Sequence, residues 1–109
     1  MARYLDEAQA RADGFTIEHE PERHRFALVR SSEGSAEVLG EAHYTLLGDD
    51  GIDFDHTLVA PSLRGTGLSA LLAEHALTDE IVRGRRIRAS CPFISGYLAK
   101  HPSLAGTGE

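Results

Sequence analysis

The sequence predicts an α+β domain with a mixed, mostly antiparallel sheet and a terminal β-α-β-α unit. The first half of the 109-residue chain contains short segments in which apolar and polar residues alternate between turn signals. The second half contains a longer segment with apolar residues at helical spacing, followed by a short strand. Because a helix that joins two neighbouring strands implies a parallel pair with a right-handed crossover, the predicted order is β-β-β-β-α-β-α.

Four strands are predicted in the first half, and turn residues separate them. Pro21 interrupts the chain after the first strand, and Gly34 lies in the turn after the second. Gly40 is a candidate bulge position in the third strand. The segment 48–51, Gly-Asp-Asp-Gly, predicts a hairpin because Asp-Gly tolerates a positive φ. The predicted strands cover residues 15–19, 24–30, 37–47 and 52–59.

The second half predicts a helix, a short strand and a final helix. The first helix begins at Leu68, its apolar positions continue to Val82, and Gly84 is the expected C-terminal stop. A strand over residues 87–91 follows, and Pro92 can open the last helix. We therefore expect residues 1–109 to form a single domain.

The two ends of the chain have fewer structural signals. Residues 1–13 are compatible with a short polar helix or with a frayed end, and residues 103–109 contain small flexible residues. We therefore expect both ends, 1–13 and 103–109, to be flexible.

Composition excludes several classes of protein. A net charge of −6 argues against nucleic-acid binding, and it indicates either a cationic partner or simply solubility. The single cysteine allows no internal disulfide and no Cys-rich zinc site, and the histidines lack metal-ligand spacing. Neither a secretory signal nor a membrane-spanning run is found, so we expect a cytoplasmic protein without a metal or a membrane partner. The oligomeric state stays open.

The segment between the fourth strand and the first long helix is the most informative. Gly65 and Gly67 allow a tight turn whose N–H groups point to one place, and the positive end of the helix faces the same point. Arg64 adds a cation that can grip a phosphate. The two glycines alone are equally compatible with an ordinary strand-to-helix turn. A Walker loop is excluded, and a Rossmann fingerprint would have a third glycine at Ala70.

The run Val59-x-Pro61-x-x-Arg64-Gly65-x-Gly67 resembles the coenzyme A signature of the GNAT acetyltransferase superfamily. The resemblance implies that backbone amides of this loop hold the pyrophosphate of acetyl-CoA and that the preceding strand receives the pantetheine arm. Ser62 departs from the Gln or Arg usual at its position. The cofactor-binding residues implied in this way are Leu58, Val59, Arg64, Gly65, Thr66, Gly67, Leu68 and Ser69, with Cys91 and Tyr97 beside the thioester.

A narrower resemblance covers residues 15–103. The chain is similar to the small stand-alone GNAT-like N-acetyltransferase family in four blocks that occur in the same order. That family lacks the first long helical region of larger GNAT enzymes, which implies a shallow or borrowed acceptor site. The blocks are His56-Thr57-Leu58-Val59, Arg64-Gly65-Thr66-Gly67, Cys91-Pro92-Phe93, and Tyr97 with Lys100-His101-Pro102.

His56 is the first candidate for chemistry. Strand alternation predicts that it shares a face with Ile52, Phe54 and Leu58, which is compatible with a core histidine. Its imidazole is equally suited to take a proton from an amine. Asp53 and Asp55 on the same strand are reserve bases.

Cys91 and Tyr97 are the other catalytic candidates. Cys91 is either a nucleophile that takes the acetyl group or a small buried apolar residue. If His56 meets Cys91 across neighbouring strands, the imidazole can activate the thiol. Tyr97 either protonates the departing thiolate or forms an ordinary apolar face with Phe93. Lys100 and His101 either contact cofactor phosphates or are solvated.

Three functions remain at this point. The preferred one is an N-acetyltransferase that uses acetyl-CoA and an unidentified amine acceptor. The alternatives are a non-catalytic acetyl-CoA-binding module and an interaction domain without the ligand. The sequence does not identify the acceptor, which is either a small molecule or a protein lysine.

Overall fold

A computed structural model describes residues 4–63 and 65–101, which form five strands and three helices. The helices are α1 (Glu7–Ala12), α2 (Leu68–Thr78) and α3 (Pro92–Lys100). The strands are β1 (Phe15–Glu20), β2 (Arg25–Ser32), β3 (Ser35–Leu47), β4 (Gly51–Val59) and β5 (Arg86–Ala89). Short 3-10 turns lie at Pro21–Arg23, Pro61–Leu63 and Glu80–Val82. No helix of the described segments is long and apolar enough to cross a membrane.

The strands form one mixed sheet in the order β1-β2-β3-β4-β5. The first three pairings are antiparallel, and β4 pairs with β5 in parallel. The predicted α+β class and the terminal strand–helix–strand crossover are therefore confirmed. The parallel pairing is short, because it extends only from Gly51 opposite Arg86 to Phe54 opposite Ala89.

The described helices pack on one face of the sheet and form the core there. Full burial of a large apolar side chain contributes roughly 1.5–3 kcal/mol, so this face supplies most of the stability. Helix α1 belongs to the same layer, since Ala10 is buried and Glu7 is hydrogen-bonded to His75 of α2 at 2.9 Å. The largest fully buried side chains are Phe26, Leu28, Ile52, Phe54, Leu68, Leu72, Leu77 and Ile94.

The opposite face of the sheet is not covered by any described helix, and we call it the open face. Polar and charged side chains dominate it, with Leu58 exposed among them at 54 %. The open face includes Glu18, Glu20, Arg25, Glu41, His43, Asp55, His56 and Leu58.

A bulge in β4 changes which residues reach each face. Tyr44 pairs with Phe54 but His43 pairs with His56, so Asp55 is the extra residue of β4. A bulge of this kind reverses the alternation beyond it. The predicted face shared by Phe54 and His56 is therefore wrong: Phe54 is fully buried, whereas His56 lies exposed on the open face.

The long helix is shorter than predicted. It ends at Thr78, because Asp79 has extended backbone angles (φ −68°, ψ 158°) and its carboxylate accepts the Ile81 N–H at 3.0 Å. This side chain opens the separate 3-10 turn Glu80–Val82. Gly84, with φ +73°, belongs to the turn that enters β5 and not to the helix end.

The predicted glycine-containing hairpin and the predicted bulge in β3 are both present, but residues other than the predicted ones occupy the special positions. In the β3–β4 hairpin the left-handed residue is Gly48 (φ +67°), not the Asp50-Gly51 pair. The β2–β3 register shifts between Leu28 and Val29, so the bulged residue is Leu39, next to the predicted Gly40.

Two alternatives were predicted for residues 1–13, a short polar helix or a frayed end, and Glu7–Ala12 form a helix. Asp6 caps α1 by accepting the Gln9 N–H at 2.8 Å. Residues 1–3 and the tail 103–109, for which flexibility was expected, lie outside the described residues.

Candidate active site

Strands β4 and β5 separate beyond the bulge. The last backbone hydrogen bond between the two segments within the described residues comes from the N–H of Cys91, two residues after β5, which donates to the Phe54 carbonyl at 3.0 Å. The chain then turns into α3, so residues 56–59 of β4 have no β5 partner in the described structure. The resulting opening holds a cavity of about 220 Å³ on the helix-covered side. Its lining is mainly apolar with two hydroxyl groups, from Thr57, Val59, Ala60, Leu63, Ser69 and Phe93.

Cys91 lies next to this opening and contacts Thr57 of the cavity lining. It immediately precedes α3, it is 6 % exposed, and its Sγ is 3.4 Å from Thr57 Oγ1. Burial raises the pKa of the thiol, but the Thr57 hydroxyl and the backbone N–H groups of Ile94, Phe93 and Thr57 outweigh burial and lower the pKa below its ordinary value. The N–H groups of Phe93 and Ile94 belong to the first turn of α3, so the positive end of this helix faces the sulfur, although the thiol forms no conventional capping hydrogen bond. These contacts stabilise the thiolate form relative to a buried thiol that lacks such donors.

The N-terminus of α2 forms the outer end of the opening. The N–H groups of Ser69 and Ala70 have no acceptor within residues 4–63 and 65–101, as expected for the first turn of a helix. Ser69 also lines the cavity, so the apolar opening and these free donors belong to one continuous site. A ligand with an anionic end and an elongated neutral arm fits this combination.

The loop before α2 is closed by its own hydrogen bonds. Thr66 is buried, and its hydroxyl donates to the Leu63 carbonyl at 2.6 Å and accepts the Leu68 N–H at 3.3 Å. Gly65 and Gly67 both have positive φ, +79° and +83°. Thr66 thus shapes the loop with its side chain, and its backbone N–H also donates within the loop, to the Leu63 carbonyl at 3.2 Å.

The N-terminal segment contacts the loop before α2 through Tyr4. The Tyr4 N–H donates to the Thr66 carbonyl at 2.7 Å. A Cβ atom on Gly67 would lie only 2.6 Å from the Tyr4 carbonyl oxygen, so this close approach requires glycine. The sequence contained no signal for this contact.

The structure does not bring His56 and Cys91 together on one face. Thr57 follows His56 directly, and it is the Thr57 side chain that turns to Cys91. His56 instead faces His43 on the open face, with ring centroids 6.0 Å apart. The predicted imidazole–thiol contact is therefore not formed, and Thr57 takes the place expected for His56.

Tyr97 lies between α3 and α2. Its hydroxyl donates to Glu74 Oε2 at 3.4 Å, and its ring stacks on His101 with centroids 4.3 Å apart. Burial raises the pKa of Tyr97, and the charge and hydrogen bond of Glu74 raise it further. The phenol consequently holds its proton at neutral pH, which a general acid requires. Lys100 is exposed. The His101 ring stacks on the Tyr97 ring.

The other predicted cofactor residues fall into separate groups. Val59 and Ser69 line the cavity. Leu58 points to the open face, and the Leu68 side chain is fully buried in the core. Arg64 lies outside the described residues.

The reserve bases on β4 are occupied by structural hydrogen bonds. The Asp53 carboxylate accepts the N–H and the hydroxyl of Ser90 at 3.0 and 2.8 Å, which ties the end of β5 to β4. Asp55 accepts the Thr45 hydroxyl at 2.6 Å on the open face.

Sequence reasoning did not assign a role to Thr57, Ala60, Leu63 or Phe93. Thr57 stood in a matched motif block, but its direction depends on a one-residue bulge that alternation cannot reveal. Ala60 and Leu63 belong to the turn after β4, and Phe93 belongs to the first turn of α3. All four enter the site only because the two strands separate.

Comparisons with known proteins give one consistent result. The model of the GCN5-related N-acetyltransferase family matches residues 25–107. Protein NATD1 of Xenopus tropicalis is 24 % identical over 102 residues, covering 94 % of this chain and 91 % of that protein. A GCN5-like protein of Staphylococcus aureus, solved by NMR, has the same fold: its TM-score is 0.55 at 24 % identity, covering 86 % of this chain and 87 % of the other.

Proposed function

Since the chain belongs to the GCN5-related N-acetyltransferase family, we propose that it transfers an acetyl group from acetyl-CoA to a primary amine at the opening between β4 and β5. The observation that carries this proposal is the continuity of three features: a thiol with a lowered pKa, a mainly apolar cavity and a free helix N-terminus. Acetyl-CoA, when bound, supplies the acetyl group in activated form as a thioester.

The residues present fit acetyl-CoA. The free N–H groups of Ser69 and Ala70 suit the pyrophosphate, because a helix N-terminus attracts and hydrogen-bonds anions. The cavity beside Val59 and Phe93 suits the pantetheine arm, and the backbone of residues 56–59 offers it hydrogen-bonding groups that β5 leaves unpaired.

Cys91, Tyr97 and His56 take three different roles in the proposal. Cys91 presents a thiol with a lowered pKa, in contact with Thr57 of the cavity lining, and is the candidate nucleophile. Tyr97 keeps its proton and is the candidate acid. His56 is the candidate base for the acceptor, and it acts from the open face.

The separation of the strands makes the third role feasible. Beyond Phe54 no strand covers the β5 side of β4 in the described segments. An amine that approaches over the open face can therefore reach the opening around the edge of β4, because no neighbouring strand of the described segments blocks this route. The net charge of −6 favours an acceptor that arrives as a cation.

Steady-state release of the CoA thiol tests the proposal. Acetyl-CoA is supplied with a panel of amines that includes a polyamine, an amino sugar and a lysine peptide, and calorimetry measures acetyl-CoA binding in parallel. Amine-dependent release with saturable binding supports the proposal. Saturable binding without turnover would indicate a non-catalytic acetyl-CoA-binding module, and absence of binding would overturn the proposal.

Rapid-quench mass spectrometry separates two ways in which the thiol can act. The wild type is mixed with acetyl-CoA alone, and Cys91→Ala is the matched control. An acetyl group on Cys91 supports the nucleophile. Amine-dependent turnover without any acetyl group on Cys91 would assign the thiol to positioning only.

A further inference from the structure

A chain of paired charges crosses the open face and ends next to His56. Glu20 and Arg25 form an ion pair, and Arg25 Nη1 donates to Glu41 Oε1 at 2.9 Å. His43 Nε2 lies 2.8 Å from the same oxygen. The side chains of Arg25, Glu41 and His43 are 14, 29 and 32 % exposed, so the network is half-buried and anchored rather than freely solvated.

The network defines which nitrogen of His43 carries a hydrogen. The hydrogen bond from His43 lowers the pKa of Glu41; burial opposes this, and Arg25 lowers the pKa further. Glu41 is thus held as a carboxylate, which only accepts hydrogen bonds. His43 Nε2 must donate, and in the neutral ring Nδ1 is left as a proton acceptor.

His43 and His56 are direct partners across β3 and β4. They are paired in the register, and their rings lie 6.0 Å apart at an angle of 40°. The bulge at Asp55 is the reason that both rings point to the open face. No hydrogen bond joins the two rings within the described residues, so proton transfer between them requires an intervening water.

We propose that His43, anchored by Glu41, is a positioning residue that acts through His56. His56 removes the proton from the acceptor amine, and His43 then accepts a proton from His56. This inference rests on the proposed function, in which His56 is the base on the open face. The acceptor ammonium gives a proton to His56, and His56 passes a proton through an intervening water to Nδ1 of His43. The Glu41 carboxylate stabilises the resulting imidazolium of His43, which then releases its proton to solvent. Both rings return to the neutral state, and the amine is left unprotonated.

The kinetic test compares three variants that differ in their relation to His56. His43→Ala removes the second imidazole, and Glu41→Gln keeps the shape of the anchor but removes its charge. Glu18→Gln is the matched control, because it removes the same charge from an exposed residue of the open face outside the network. We expect kcat to fall about 10–100-fold in His43→Ala and about 3–10-fold in Glu41→Gln, within the range of acid–base effects. KM for acetyl-CoA and the activity of Glu18→Gln stay at wild-type values.

Chemical rescue distinguishes proton transfer from a purely structural role. Free imidazole in the buffer should restore part of kcat in His43→Ala and leave the wild type unchanged. A His43→Ala variant with wild-type kcat, or one with reduced kcat that imidazole does not raise, overturns the proposal.

A second readout does not depend on turnover. Nitrogen-15 spectra of the imidazole rings report which ring nitrogen of His43 and His56 carries a hydrogen. The His56 signals should change in Glu41→Gln and in His43→Ala but not in Glu18→Gln, and unchanged His56 signals overturn the coupling. If the wild type lacks turnover with every amine while the His56 signals respond as expected, the proposed function fails and the His43–His56 coupling stands.

Discussion

The two faces of the sheet are built for different purposes, although β4 contributes to both. On the helix-covered face, Thr57 and Val59 line a mainly apolar cavity, and Thr57 also contacts the buried Cys91 thiol. On the open face, His56 and Leu58 are exposed beside a network of paired charges. Because these residues alternate along a single strand, each face receives its own chemistry from adjacent positions.

Under the proposed function, the comparison explains how a small chain serves two ligands. The helices of the described residues cover one side of the sheet, so a bound acyl donor and an approaching acceptor would not compete for the same surface. The bulge at Asp55 sets the division, since without it His56 would point into the helix-covered core and Thr57 away from Cys91. The following predictions test whether the division holds.

The largest effect is expected from removal of the thiol on the helix-covered face. Cys91→Ala should lower kcat by about 100-fold or more, because a nucleophile cannot be replaced by a methyl group. Acetyl-CoA affinity, measured by calorimetry, should change little, since the variant keeps the cavity lining and the helix N-terminus. Wild-type kcat in Cys91→Ala would show that the acetyl group passes directly to the amine.

The support of the loop gives the next largest effect. Gly67→Ala should lower the free energy of unfolding by more than the roughly 1–2 kcal/mol that a left-handed conformation costs a residue with a Cβ, because the methyl also meets the Tyr4 carbonyl. Gly34→Ala is the matched control: Gly34 has a similar φ of +81°, and nothing lies within 4 Å of its Cβ position. Urea unfolding of both variants measures the difference. Equal losses of unfolding free energy in the two variants would mean that the Tyr4 carbonyl does not lie in close contact with Gly67.

The reactivity of the thiol should depend on Thr57. The Thr57 hydroxyl lowers the pKa of Cys91, so its removal in Thr57→Val raises that pKa and reduces the thiolate fraction near neutral pH. Alkylation by iodoacetamide should slow severalfold at neutral pH and approach the wild-type rate as the pH rises above the new pKa. Thr45→Val, the same change on the open face, should leave the rate unaltered. An identical pH profile in Thr57→Val and the wild type would contradict this account of the thiol.

The smallest effect is expected on acetyl-CoA affinity, and it should differ between substitutions of two adjacent aliphatic residues. Val59→Ala should weaken acetyl-CoA binding by about 3–10-fold, since each buried methylene contributes about 0.8 kcal/mol. Leu58→Ala removes more apolar surface but on the open face, so acetyl-CoA affinity should stay at the wild-type value. Calorimetric titration of both variants provides the comparison. A larger loss of acetyl-CoA affinity in Leu58→Ala than in Val59→Ala would mean that the cofactor binds on the open face, which contradicts this account.

Sequence reasoning was most successful where local signals agree with the fold. The strand and helix order, the parallel β4–β5 pair and the turn before α2 follow from periodicity, glycines and prolines. The end of α2 was misplaced because the apolar spacing continues to Val82 while the Asp79 side chain stops the helix earlier. Local hydrogen bonding of a short polar side chain overrides periodicity at such a point.

The site was less predictable than the fold. Cys91, Val59, Gly67 and Ser69 lie in or beside the opening, as the motif resemblance implied, and their functional roles stay predictions. The direction of His56 was wrong because one bulged residue inverts every side chain after it. The contact of Tyr4 with the loop joins residues far apart in sequence, which no local pattern reveals.

The most direct test of the central claim, that the cofactor binds on the helix-covered face, is an amide NMR titration with CoA. We predict shift changes in Thr57, Val59, Gly67, Ser69 and Ala70, and unchanged signals for Glu18, Glu41 and His43. Shifts concentrated on the open face, or no saturable shift near the α2 N-terminus, would contradict the account.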